Sequence, residues 1–122
     1  MHAAPTSATY DDLVAPSNAA IDRWNAAAEV VDLAGIRDAS GELASLLVEF
    51  AAGVRALPWS PDAEPHATSL VAGLEREVAW YRAVASSPDD AATVAALEAP
   101  WSDEAVEAAA LLREALGATA LP

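Results

Sequence analysis

The sequence predicts an all-α fold, an up-and-down antiparallel four-helix bundle whose fourth helix is interrupted near Pro100. Composition, apolar periodicity and connection length lead there. Of 122 residues, 33 are Ala and only 5 are Gly, 54% are hydrophobic, and runs of β-branched residues are nearly absent; helices are built from such mixtures. A chain of this length forms one small domain that buries about two-thirds of its unfolded surface. Apolar residues recur at alternating steps of three and four, which lines one face of a helix. The connections at 31–36, 57–61 and 86–88 are short, so successive helices run antiparallel.

Residues 1–9, MHAAPTSAT, hold too little apolar bulk to offset their ordering entropy, and are expected as a flexible lead ahead of a bundle domain at 10–117. Helix one carries the stripe Tyr10, Leu13, Ser17, Ala20, Trp24, Ala27 and Val31. Pro16 lies inside it, and because the stripe continues across Pro16, a kink is expected rather than a break. Helix two has the clearest seam: Leu33, Ile36, Ser40, Leu43, Leu47, Phe50, Val54 and Leu57, ended by Pro58. Gly41 and Gly53 within it read as points of close approach to a neighbour.

Helix three is expected from Pro61 to about Ser86, with Ser60 as N-cap and Ala67, Val71, Leu74, Val78, Tyr81 and Ala85 on its apolar face. The last helical region opens at Ser87-Pro88-Asp89-Asp90, is interrupted at Pro100, and restarts at Ser102-Asp103-Glu104 with Ala105, Ala109, Leu112 and Leu116 inward. Gly117 suits the left-handed residue that closes a helix, leaving 118–122 as a C-terminal tail.

Charge excludes several function classes. There are 19 acidic residues against 6 Arg and no Lys, a net charge of -13 that repels nucleic acid and anionic lipid surfaces. No run reaches the length of a membrane span, so direct membrane insertion is not expected. Cys is absent, which removes disulfides, thiolate metal sites and cysteine nucleophiles. None of the six Arg has an acidic residue three or four positions away, so each is expected to pair across helices, cover an aromatic ring, or stay in water. Arg55 before Trp59 and Arg76 before Trp80 have the spacing of a guanidinium over an indole.

A catalytic or metal constellation is not evident. His66 forms no Glu-x-x-His pair, having Ala63 three positions before it and Glu64 only two; no G-x-S-x-G or phosphate-cradling Gly-rich loop occurs, and no cofactor is implied. Glu77 and Glu49 are the carboxylates nearest an apolar seam, where burial raises a pKa, but neither has a partner at catalytic spacing. Four Trp in a short chain leave one ligand-binding candidate: Trp24 with Trp80 and Tyr81, lining a pocket between helices, against the plainer reading of aromatic filler in an Ala-rich core. Trp59 and Trp101 sit beside prolines at element ends, where stapling to the next turn, as of Trp101 onto Val106, accounts for them.

Three segments, Tyr10-Asp-Asp-Leu-Val-Ala-Pro-Ser-Asn18, Leu57-Pro-Trp59 and Leu112-Arg-Glu-Ala-Leu-Gly117, resemble those of small exported helical proteins, often lipoproteins, of GC-rich bacteria. The resemblance implies an envelope or extracellular location and brings no catalytic residues. A lipoprotein of this kind carries a lipid-bearing Cys before its Ala/Pro/Ser lead, and this sequence has none. Two origins fit the lead: a cytoplasmic start, or a mature start just after an export signal with a new Met; its tether-like composition favours the second. The expectation is a non-enzymatic extracytoplasmic bundle, monomer or homodimer, acting by interaction with a protein partner. The alternatives are a module for a small apolar or aromatic ligand at Trp24, Trp80 and Tyr81, and a cytoplasmic small regulator or immunity-type protein.

Overall fold

Helix α1, Ser7–Glu29, starts three residues before its apolar stripe because its first turn caps itself. The Thr6 hydroxyl accepts the Thr9 N–H at 3.3 Å, and the Thr9 hydroxyl accepts the Thr6 N–H at 3.3 Å, so two donors that a helix start leaves open are satisfied reciprocally. Residues 7–9, expected in the flexible lead, are therefore helical. The computed structural model describes residues 4–117; the rest of the expected lead at 1–3 and the C-terminal tail 118–122 lie outside the described residues. α1 runs through Pro16 as one element, held by burial of Tyr10, Ser17 and Ala20 on both sides of it.

A sharp turn at Val30–Val31 leads into α2, Leu33–Ala56, whose N-cap Asp32 accepts the Gly35 N–H at 3.0 Å. The seam read from periodicity is the buried face: Ile36, Ser40, Leu43, Leu47, Phe50 and Val54 are all interior. At the far end the Val54 carbonyl would pair with the N–H of residue 58, which is Pro and has none. The Trp59 indole N–H replaces it, donating to the Val54 carbonyl at 2.7 Å.

α3 spans Glu64–Ala85, three residues later than a start at Pro61 would give. The Ser60 carbonyl accepts the N–H groups of Ala63 and Glu64, forming a turn ahead of the helix, and Pro65 occupies the first turn, where no intrahelical bond is needed. Ala63 at the N-cap makes no side-chain cap bond, so the expected Ser60 cap is not formed.

Two further helices follow in place of one interrupted helix, α4 at Asp90–Leu97 and α5 at Glu104–Ala115, giving five among the described residues and no strand. Asp89 caps α4 by accepting the Ala92 N–H at 2.8 Å, and the Ser102 hydroxyl accepts the Glu104 N–H at 3.3 Å at the start of α5. Gly117, at φ 77, closes the last turn in the left-handed region.

α2 packs against α1 on one flank and α3 on the other, α5 packs on α3, and α4 touches α2 and α3. The α1–α2 turn, the C-terminus of α3 and the start of α4 share one end of the molecule, here the apical end, because Arg37 in α2 donates to Asp90 at 2.9 Å and to the Thr93 hydroxyl at 2.8 Å. At the opposite end Arg113 of α5 reaches Asp11 of α1 at 3.6 Å and lies over the Tyr10 ring at 6.0 Å. Leu43, Leu70, Leu112, Val54 and Val84 are the largest fully buried apolar side chains.

Glycine sets one of the helix contacts. A Cβ on Gly73 would stand 2.5 Å from the Ala105 amide nitrogen, so α5 comes closer than Ala would permit, whereas one on Gly53 would meet Leu13 Cδ2 at 2.8 Å, a side-chain tip that can turn aside. Gly41 differs from expectation: a Cβ there would meet only the Ala85 methyl at 3.7 Å, an ordinary contact. It is not a point of obligatory approach.

Candidate functional site

The three aromatic residues singled out from sequence are brought together, with a fourth. Trp24 of α1 lies 6.4 Å from Trp80 and 6.3 Å from Tyr81 of α3, ring centre to ring centre. Trp101, in the α4–α5 connection, stands edge-on to Trp80 at 5.0 Å and to Tyr81 at 5.6 Å. α5 starts two turns farther along α3, where Ala105 meets Gly73, so the four rings fill the level at which α5 has not begun. Trp101 is spent on this cluster rather than on Val106, which is 60% exposed.

Each indole in the cluster interior is anchored. Trp24 donates to the Ser40 hydroxyl at 2.9 Å and Trp80 to the Ala99 carbonyl at 3.2 Å. One turn from Tyr81 on α3, Glu77 is pushed up to about 7, by burial first and then by the Asp103 carboxylate. Tyr81 is in turn raised to about 12, by burial and then by Glu77. The result is a carboxyl that titrates near neutrality beside a phenol, with no nucleophile or basic side chain bonded to either.

Two cavities lie along the α2–α3 seam, and neither is lined by Trp24, Trp80 or Tyr81. One, of about 340 Å³, sits at the hairpin corner between Trp59, Leu57, Val54 and Val71, with Arg55, Glu64 and Thr68 at its polar edge. The other, of about 280 Å³, lies between Val48, Ala51 and Val78 with Arg55, Glu75 and Arg82. Sequence reasoning missed the first because Trp59 was accounted for as a helix-end staple.

Five of the six Arg pair between elements, one of the three outcomes that the absence of local partners left open. Arg23 bonds Glu42, Arg55 bonds Glu75, Arg76 bonds Glu104, and Arg37 and Arg113 reach Asp90 and Asp11. Arg55 and Arg76 are committed to these carboxylates; among the described residues the one guanidinium over a ring is Arg113 on Tyr10.

The apical end carries the most exposed large apolar side chains. Val30 and Val31 are 74% and 72% exposed, and Val94 on α4 is 42% exposed. Val31 adopts φ 53, a left-handed conformation that costs a β-branched residue about 1–2 kcal/mol. Glu29 of α1, Asp38 of α2, the N-caps Asp32 and Asp89, and Asp90 of α4 belong to the segments that meet at this end, and Arg37 neutralises Asp90 among them. The left-handed residue closes α1, the Val31 N–H donating to the Ala28 carbonyl at 3.1 Å and the Asp32 N–H to the Ala27 carbonyl at 3.0 Å, and this closure leaves both valines in water.

Among the described residues no helix is long and apolar enough to cross a membrane, and no group of three or more His, Asp or Glu converges as metal ligands do. No family model, no curated protein and no solved structure matches the chain.

Proposed function

We propose that this chain is a non-enzymatic helical module, acting outside the cytoplasm by binding a protein partner through its apical end. Its helices are best read as an up-and-down antiparallel four-helix bundle, with α4, the Trp101 connection and α5 sharing the fourth position. The observation that carries the reading is the strained, exposed Val30–Val31 turn among acidic residues. Its partner presents small apolar sockets surrounded by basic side chains, because burying valines is favourable and the charges then complement. The extracytoplasmic placement rests on the resemblance to exported proteins and on the tether-like composition of residues 1–9.

The test is a photocrosslinking amino acid at position 30, compared with one at the exposed Ser69 on α3, in cells that make the protein natively. A discrete adduct at position 30 and none at position 69 supports the reading. No adduct from a folded protein at position 30 overturns it, and recovery of the native protein in the cytoplasmic fraction overturns the location.

A ligand-binding role is the second reading, favoured by the 340 Å³ cavity beside Trp59. It moves the ligand site away from Trp24, Trp80 and Tyr81. Small aromatic carboxylates that raise the melting temperature of the parent but not of a Trp59→Ala variant would support it.

A further inference from the structure

The two cavities on the α2–α3 seam share Arg55 in their linings and follow one another along the seam, and are together called the trough. On α3 its wall is Glu64, Thr68, Val71, Glu75, Val78 and Arg82, at steps of four, three, four, three and four. That stripe is symmetric about position 73. Turned end for end, Glu64 falls opposite Arg82, Thr68 opposite Val78, and Val71 opposite Glu75.

We propose that the trough is a self-association surface, in which a second copy of this chain docks with its α3 antiparallel and Glu64 of each copy pairs with Arg82 of the other. A two-fold contact needs a surface complementary to itself, and a stripe with opposite charges at its two ends supplies that. Arg82 is the one Arg without an ion pair among the described residues, and Glu64 has none either, so both are free for an intermolecular bond. Arg55 and Glu75 already neutralise each other at the centre, and two copies bring two such pairs side by side.

Charge selects a second copy over other occupants. The trough holds two Arg and two Glu, neutral in a chain of net charge -13, so it attracts neither a strongly basic nor a strongly acidic partner. It is also a place where two acidic chains meet without stacking like charges. From Glu64 to Arg82 the helix extends about 27 Å, and with α2 alongside it is about 20 Å wide, offering about 500 Å² per copy. Doubled, that is the lower end of specific interfaces, so the dimer is reversible and concentration-dependent. The face lies away from α1, whose contacts with α2 include Ser40, Glu42 and Gly53, and the apical valines stay free. The inference is independent of the apical reading.

Sedimentation velocity across micromolar to hundred-micromolar concentrations tests it on the full chain at 0.15 M salt. The expected mass rises from 12.5 kDa towards twice that value. Arg82→Glu or Glu64→Arg alone places like charges opposite at two symmetric positions and weakens association about tenfold or more. The double variant, carrying both reversals, restores it. Both side chains are exposed, and circular dichroism checks that every variant is folded. A single mass of 12.5 kDa at all concentrations, single reversals that associate as the parent does, or a folded double variant that stays monomeric each overturn the proposal.

Discussion

The backbone of Ala105, at the start of α5, lies so close to Gly73 of α3 that a methyl group there would stand 2.5 Å from the Ala105 nitrogen and 2.7 Å from its Cα. Backbone cannot swing aside as a side-chain tip can, so Gly73→Ala must push α5 outward and open the layer beneath the aromatic cluster. The helix-propensity gain of about 1 kcal/mol is outweighed by overpacking of about 1–3 kcal/mol, and the net effect is a loss of stability. Gly41→Ala provides the contrast. Its new methyl makes an ordinary contact with Ala85, and stability rises by up to about 1 kcal/mol. Urea unfolding of both variants checks the pair, and equal effects at the two positions would contradict the geometry.

Trp24 and Ser40 form a hydrogen bond with unequal ends. The Ser40 side chain is fully buried, whereas Trp24 is half-buried, so removing the donor strands a hydroxyl while removing the acceptor leaves an indole N–H within reach of water. Trp24→Phe is therefore expected to cost about 2–4 kcal/mol, including lost ring contacts with Trp80 and Tyr81, and Ser40→Ala about 1 kcal/mol. In a double-mutant cycle the two changes couple, because the second has no bond left to break.

How legible these features were depends on what each residue's signal is about. The α2 seam from Ile36 to Val54 was readable because burial repeats with the helical period, and the Ser102 hydroxyl at the start of α5 because a short polar side chain before acidic residues has a local cause; α4 starts later than its Ser87-Pro88 signal, with Asp89 as its cap. The α3 start was misplaced by three residues, since Ser60 and Pro61 carry the same local chemistry whether they begin a helix or a turn before one. Gly41 and Gly73 look alike in sequence, and only the path of a distant helix separates a required glycine from a replaceable one. Trp24, Trp80 and Tyr81 converge as their shared apolar faces implied. Trp101 joins them from a connection that has no periodicity to read, and the Trp59 cavity arises where two helix ends diverge.

Glu77 makes stability fall as pH rises. Its pKa stands at about 7 in the folded chain against 4.5 ordinarily, so between these values the folded state holds a proton that the unfolded state has released. The stabilisation from the protonated form is complete below pH 4.5 and is lost on titrating through 7. Because the carboxyl is only partly buried, solvent screening reduces the effect to about 1–2 kcal/mol. Glu77→Gln, neutral throughout, should flatten this part of the stability profile measured from pH 5 to 8. An unchanged slope would place the titration in other carboxylates.

Ser17 is buried on the α1 seam with a hydroxyl that has no hydrogen-bond partner. Holding an unpaired hydroxyl away from water costs about 1–3 kcal/mol, and Ser is also a weaker helix former than Ala. Ser17→Ala should therefore stabilise the protein by about 1 kcal/mol, read as a shift of the urea midpoint without a change in slope. A destabilised variant would show that the hydroxyl is satisfied by water inside the core.

Val31 sets stability against display. In the left-handed region its branched side chain is strained, and glycine is not, so Val31→Gly should gain about 0.5–1 kcal/mol after the added flexibility of the unfolded chain is counted. If the turn existed only to reverse the chain, that gain would have no counterpart. Under the apical-contact reading the same change removes one of two exposed valines from the interface and weakens partner capture through position 30. The diagnostic result is therefore a variant that melts higher and crosslinks less; higher melting with undiminished crosslinking would assign Val31 to turn geometry and leave Val30 as the contact.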